Sequence, residues 1–301
     1  MASLPGSAPL PYPPLVRTST ALAAVLALAL TSAARADDLP PHLAIPDLVG
    51  PRMLGLSAGI GAPGGNDAIY LNPGSIAARR RYSIEAGGLF DRRGSETDKF
   101  FGGSVVDSES APVTAGASYQ RAQSGEYTGN IGHLALAGPV VEHFYLGVSG
   151  KYYSLHGPVP VGAGTMDAGL LWQVAEMISI GITGYNLIPI SNKAVAPLGA
   201  GAGMALGSDT SFQVTGDWRA DFDRLGKTAN RYALGAEWLL RSMVVLRGGW
   251  MHDEVYDTNW WSVGGGLVAQ HGIALDIGYR QSIASPSAKT FAASLKFFVN
   301  P

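Results

Sequence analysis

Histidine is the first place to look for chemistry in this chain, because imidazole can ligate a metal or act as a general base near neutral pH. The six stand at His42, His133, His143, His156, His252 and His271. No two are four residues apart and none sits in an H-E-x-x-H pattern, so no metal site is expected. Ser149 with His133 is the pair that neighbouring strands could bring together for acyl transfer, although serine and histidine residues meet often without reacting. Asp253, Glu254 and Asp257 lack the spacing of a calcium loop and read as a solvated connection. Gly59-x-Gly61-x-x-Gly64 has the spacing of a dinucleotide fingerprint, but Pro63 lies inside it and no helical pattern follows. A glycine-rich turn is the simpler reading. The chain has no cysteine, which excludes a thiol nucleophile, thiolate metal ligation and disulfides. No enzyme activity and no cofactor is expected.

The remaining chemistry is ionic. Glu85, Lys151, Asp167, Asp217, Arg219, Glu237, Arg247, Asp276, Arg280 and Lys296 all fall on one face of alternating segments. Five are acidic and five basic, which suits either a selectivity lining or internal pairs that fill a blocked lumen. A single excess sign would mark an ion-selective pore, so the balance leans towards internal pairing.

The elements that position these charges repeat with period two. In Gly272 to Ser282, Ile273, Leu275, Ile277 and Tyr279 oppose Ala274, Asp276, Gly278 and Arg280. Alternation of this kind belongs to strands, whose side chains point to opposite faces in turn. Fourteen such segments are read, at 83–91, 98–107, 112–121, 127–138, 143–155, 164–174, 177–187, 199–207, 210–218, 231–239, 243–251, 260–269, 272–282 and 288–299. Several connections are short, as at Ala175-Glu176 and Ser208-Asp209, whereas Ile188 to Leu198 and Ala220 to Asn230 are longer. Aromatic residues near strand ends (Tyr152, Tyr153, Trp172, Tyr185, Trp218, Trp238, Trp250, Trp260, Trp261, Tyr279) suit interfacial girdles.

Composition narrows the class. Hydrophobic residues make up 47% and charged ones 15%, with 40 glycines; a soluble domain carries about 25% charged residues. After the N-terminus no uncharged apolar run reaches the ~18 residues of a spanning helix. A closed sheet is the other way to cross lipid, because it pairs its own backbone. A soluble sandwich would alternate too, but with more Lys and Glu outside. The fold expected is an all-β transmembrane antiparallel barrel of about fourteen strands over 83–301, both termini periplasmic. A formal charge of −2 gives no reason to expect nucleic acid.

Residues 1–36 read as a secretory signal. Ala21 to Leu30 is a short apolar core, and Ala34-Arg35-Ala36 before Asp37-Asp38 is a cleavage pattern, with the cut expected after Ala36. Residues 37–82 then form a separate segment. It contains Asp67-Ala68 and Asn72-Pro73-Gly74-Ser75-Ile76-Ala77. Pro73 fixes its own φ and holds Asn72 extended, while an Asn side chain can bond nearby backbone, so the triplet is a rigid kink. It reads as either the seat of a plug or an ordinary turn before the first strand. Arg79-Arg80-Arg81 closes the segment, as a solvated approach to that strand or a contact for phosphates.

The motif resembles the "A…NPAGLA" signature of the long-chain fatty-acid transporter (FadL-like) family and its PorV-like relatives, with Gly74 for the usual Ala and Ser75 for the usual Gly. The resemblance implies a fourteen-stranded barrel plugged by an N-terminal hatch, with Asn72, Pro73 and Gly74 in that hatch. It implies passive transport of hydrophobic or amphipathic small molecules across the outer membrane, among outer-membrane lipid. The PorV-like branch implies the alternative, an accessory barrel that anchors or gates a protein partner. The chain is short for a fatty-acid transporter, so long external loops are not expected.

Overall fold

The computed structural model describes residues 50–222, 224–269 and 272–299. The signal segment 1–36 with its Ala36 cleavage, the first part of the 37–82 segment, His42, the Gln270-His271 turn and the final Asn300-Pro301 lie outside the described residues.

Fourteen antiparallel strands close into a barrel. They are β1 (Tyr82–Arg93), β2 (Glu96–Asp107), β3 (Thr114–Ser124), β4 (Tyr127–Val141), β5 (Phe144–His156), β6 (Val161–Ala175), β7 (Ile178–Tyr185), β8 (Gly199–Gly207), β9 (Phe212–Asp221), β10 (Ala229–Leu240), β11 (Val244–Asp253), β12 (Thr258–Ala269), β13 (Ile273–Ser282) and β14 (Lys289–Val299). Each strand pairs with its sequence neighbours, and β1 closes the ring on β14 from Tyr82↔Val299 to Arg92↔Lys289. Every expected segment is a strand, with ends displaced by a few residues. Register is continuous through β2, β3 and β4; the irregularities sit at Pro139/Val141 and Gln173/Ala175.

Tyr82 begins β1 at what we call the near end of the barrel. Two far-end turns, Gly94-Ser95 and Gly125-Glu126, are only two residues long, shorter than the sequence suggested. In both, a glycine with positive φ (61° and 56°) takes the first central position, the arrangement of a type II′ hairpin. The longest far-end connection lies between Tyr185 and Gly199, and residues of it fold back onto the lumen wall.

The faces are reversed relative to a water-soluble barrel. Outward residues are large and apolar, with Leu134 72% exposed and Trp172, Ile182 and Leu267 similarly open. Inward ones include Ser83, Asp91, Asp167, Thr215 and Asp276, all buried. A soluble monomer rarely exposes more than a few hundred Å² of continuous apolar surface, so this exterior is suited to hydrocarbon. The aromatic girdle is smaller than expected. Tyr153, Tyr185 and Trp260 point inward and are buried, because their parity along the strand matches the lumen face.

Inside the ring lies the segment 50–81. It folds as α1 (Pro51–Leu56), α2 (Ala68–Leu71) and a 3₁₀ turn, Pro73–Ala78. Pro51 starts α1 at a position where its missing N–H matters least. Ser57, in the left-handed region, ends that helix with its N–H on the Met53 carbonyl. Wall glycines receive this plug. The Leu56 carbonyl sits where a Cβ on Gly235 or Gly249 would lie, and the Gly55 backbone meets the Gly264 backbone. Two backbones can approach so closely only without side chains between them.

A Gly249→Val substitution therefore displaces α1. Overpacking costs about 1–3 kcal/mol. We expect an unheated gel mobility still typical of a folded barrel, together with faster tryptic cleavage at Arg52; unchanged cleavage would show that the plug does not depend on this approach.

Candidate functional site

The hatch residues are seated by hydrogen bonds that a kinked chain alone can offer. Asn72 is extended and fully buried. Its Nδ2 donates to the Ile60 carbonyl (2.8 Å) and to the Leu170 carbonyl of β6 (2.9 Å), while Oδ1 accepts from the Gly74 N–H at 3.1 Å. One side chain thus joins two parts of the plug to the wall. Pro73 packs over Gly147 and Gly169, and Gly74 leaves no room for a Cβ beside the Gly169 carbonyl. The sequence departure at Gly74 is matched to this contact. Further anchors are Tyr185 Oη to the Leu71 carbonyl (2.8 Å), Ser179 Oγ to the Gly61 carbonyl (2.7 Å) and Ser262 Oγ to the Gly55 carbonyl (2.8 Å).

Asp217 faces the plug from β9. Its Oδ2 accepts from the N–H groups of Gly59 (2.6 Å) and Ile60 (2.8 Å). The glycine-rich stretch that matched a nucleotide fingerprint is thus a backbone cradle for a wall carboxylate. Arg79-Arg80-Arg81 is also more embedded than a solvated approach would be. Arg79 pairs with Asp209, and Arg81 donates to the Gly64 carbonyl at 2.6 Å. Burial, with Arg79 and Arg52 adding repulsion, pushes the Arg81 guanidinium down to about 10, so it stays charged at neutral pH. Arg80 alone of the three is open, beside Glu109 at 3.8 Å.

All ten charged candidates point inward, and five of them join Arg52 of the plug in one chain of alternating sign. Arg52 meets Glu237 with two bonds, at 2.9 and 3.1 Å. Glu237 also takes Arg247 at 2.6 Å, Arg247 takes Asp276 at 2.6 Å, and Lys296 bridges Asp276 (3.1 Å) to Glu85 (3.5 Å). Three cations and three carboxylates cancel. The chain crosses β12 because Gly266 presents no side chain where Arg247 reaches Asp276. Lys151 and Asp167 form a separate pair at 2.8 Å, with Lys151 also donating to Asn186 Oδ1 at 2.6 Å.

Arg219 and Arg280 belong to a third group at the far end that the sequence reading only partly found. It adds Asp91, Arg93, Asp221, Arg224, Arg231 and Asp253. Arg93, Asp221 and Asp253 lie just beyond the expected strands 83–91, 210–218 and 243–251, whereas Asp91 and Arg231 are the end residues of expected strands. Opposite this group the far half of the lumen wall is apolar. Leu89, Phe100, Ile131, Tyr153, Leu155 and Val161 form a buried cluster onto which Ile190 and Ala196 of the long connection fold.

The pairs that could have been reactive are not assembled. His133 Nδ1 lies 3.2 Å from Ser118 Oγ, not against Ser149, and the Tyr70 and His133 rings form a T-shaped pair with centroids 5.0 Å apart. Gly55-Leu56-Ser57-Ala58-Gly59 has the G-x-S-x-G spacing of a nucleophile elbow. Here Ser57 follows a helix rather than a strand, and its Oγ meets Ser262 Oγ at 2.9 Å.

Glu237 is the branch point of the buried chain, so its neutralisation strands two guanidinium groups. Removing one partner of a buried pair costs about 3–5 kcal/mol. Glu237→Gln should lower the urea midpoint of the folded barrel strongly, whereas Arg79→Gln at the half-exposed rim should change it by about 0–1 kcal/mol. Equal shifts would deny the chain its structural role.

No protein-family profile matches the chain, and no curated protein matches it by sequence. Solved structures do match by shape. The CymD monoaromatic hydrocarbon channel is 15% identical with a TM-score of 0.60, covering 84% of this chain and 97% of its own. The Ralstonia pickettii toluene transporter TbuX is 12% identical with a TM-score of 0.61, over 84% and 98%. A Pseudomonas aeruginosa FadL homologue is 10% identical with a TM-score of 0.57, over 83% and 98%. A closed fourteen-stranded barrel filled by its own N-terminal segment, the chain shares the fold of FadL-type channels.

Proposed function

We propose that the protein is an outer-membrane channel that passes small hydrophobic or amphipathic molecules down their gradient, with the plug and the 186–198 connection as its obstacles. The observation that carries this reading is the apolar wall inside the far half of the lumen, Leu89, Phe100, Ile131, Tyr153, Leu155 and Val161. A membrane barrel already has its apolar surface outside and needs none within. An interior apolar wall gives a hydrophobic solute somewhere to partition at roughly 25 cal/mol per Å². The plug that blocks the way is tied by side chains and close backbone approaches, not by a strand ladder, so it can shift without opening the barrel. The shape likeness to a toluene transporter and to monoaromatic hydrocarbon channels supports the same solute class.

The reading includes export by the N-terminal signal with cleavage after Ala36 and a hatch over 37–82. Protein recovered from outer membranes should start at Asp37 and migrate faster on a gel unheated than heated. Recovery from the soluble periplasm would overturn the placement. In vesicles carrying the purified barrel, toluene should equilibrate faster than in empty vesicles, and deleting residues 37–80 should raise both that rate and ion conductance. If the deletion leaves both unchanged, transport past the hatch is refuted.

A further inference from the structure

Parity divides the cations of the wall. Of the eleven lysines and arginines in strands, seven stand at lumen-facing positions and four at lipid-facing ones. The four are Lys289 of β14, Arg92 of β1, Lys99 of β2 and Arg121 of β3. Their strands are adjacent in the ring, and all four residues lie towards the far end. Among the described strands the one lipid-facing acid is Asp107, the last residue of β2, at the near end.

Register sets the spacing. Lys289 and Arg92 are direct partners across β14 and β1. Lys99 pairs with Phe90, two residues from Arg92, and with Gln123, two residues from Arg121. Directly opposed side chains are about 5 Å apart and diagonal ones about 7–8 Å, so the four cations make one continuous row. Like charges directly opposite one another are destabilising, and among the described residues none of the four has a carboxylate at ion-pair distance. The bonds that hold the two arginines are to neutral groups. Arg92 Nε donates to the Gly94 carbonyl and Arg121 Nη1 to Asn130 Oδ1, each at 3.2 Å. Both guanidiniums keep further N–H donors, and Arg92, Lys99 and Arg121 are exposed.

Immediately on the near-end side of this row lies an aromatic belt. Phe291, Phe90, Phe101 and Tyr119 face outward on the same four strands, and Phe90 and Phe101 form a T-shaped pair with centroids 5.3 Å apart. Outward aromatic residues mark the level where hydrocarbon gives way to headgroups, which puts the cations at headgroup height. Elsewhere in the ring the position beyond the belt is neutral: Gln281 follows Tyr279, Asn259 stands beyond Trp261, and Asn230 beyond Tyr232. The charge is confined to one sector.

We propose that this sector is a docking surface for a phosphorylated glycolipid of the outer leaflet, with its phosphates between Lys289, Arg92, Lys99 and Arg121 and its acyl chains on the aromatic belt. Four strands at ~4.8 Å spacing spread the cations over about 14 Å. One phosphate does not span that row, whereas a headgroup carrying several does. Arginine offers paired N–H donors to a phosphate and lysine a point charge. The inference rests on the outer-membrane placement with the far end outside, and it is independent of what passes through the lumen.

Diphosphoryl lipid A and its dephosphorylated form separate charge from acyl packing. The purified barrel, immobilised in uncharged detergent, should retain diphosphoryl lipid A saturably and less as salt rises, and should retain the dephosphorylated form only weakly. Lys99→Gln combined with Arg121→Gln should weaken retention about tenfold. Arg241→Gln, which removes an exposed cation at the near end, should leave it unchanged. Unheated gel mobility checks that each variant is folded; if the double variant is not, the phosphate and salt comparisons on the unaltered protein decide alone. Equal retention of the two lipid forms, or retention indifferent to salt or to the double variant, overturns the proposal. So does equal retention of phosphatidylglycerol, or displacement by inorganic phosphate at the concentration of the lipid. Phosphate-dependent retention without toluene uptake by vesicles would sink the transport reading and leave the docking surface standing; uptake without such retention would do the reverse.

Discussion

Hydrocarbon offers no partner for a backbone amide, and each unsatisfied group there costs several kcal/mol. The closure of β1 on β14 meets that constraint for the whole ring, since it leaves no edge strand. Everything else follows from closing the sheet. Closure gives every strand a lipid face and a lumen face, alternation assigns apolar residues to the first and polar residues to the second, and fourteen strands enclose more space than their own inward side chains fill. The chain supplies the remaining filling from its own segment 50–81.

That filling is attached by two physically different means. Wall glycines such as Gly235, Gly249 and Gly264 admit plug backbone to close contact, which sets shape but supplies little directional energy. Polar groups supply the direction: Asn72 to Leu170, Asp217 to Gly59 and Ile60, and Arg52 to Glu237. The near-side charges are neutral as a set, so they stiffen the barrel without imposing ion selectivity. The far-side group is built differently, with Asp221 shared by Arg219, Arg224 and Arg231.

The strand number, the inward parity of all ten charged candidates and the position of the Asn72-Pro73 kink were legible because each is local. A period of two needs only neighbouring residues, and proline restricts its own φ whatever surrounds it. Strand ends were less legible. Asp91 and Arg93 continue the alternation of Glu85, Gly87 and Leu89, but polar residues at a strand end look the same whether they line a lumen or begin a loop. For the same reason Trp260 and Tyr185 read as girdle residues until parity placed them inside.

By itself, then, the sequence determined a closed β-barrel with a separate N-terminal segment, since hydrophobic periodicity and low charge leave no other way to satisfy the backbone in lipid. Tertiary structure alone decided which charges meet. Arg52 and Glu237 are 185 residues apart, and Arg247 reaches Asp276 over Gly266 of an intervening strand. Such pairings depend on ring curvature, register and the thickness of the plug, none of which leaves a mark in local spacing. An equal count of five acids and five bases suggested internal neutrality; only their arrangement in space separated a chain of alternating sign on the near side from an arginine-rich group at the far end.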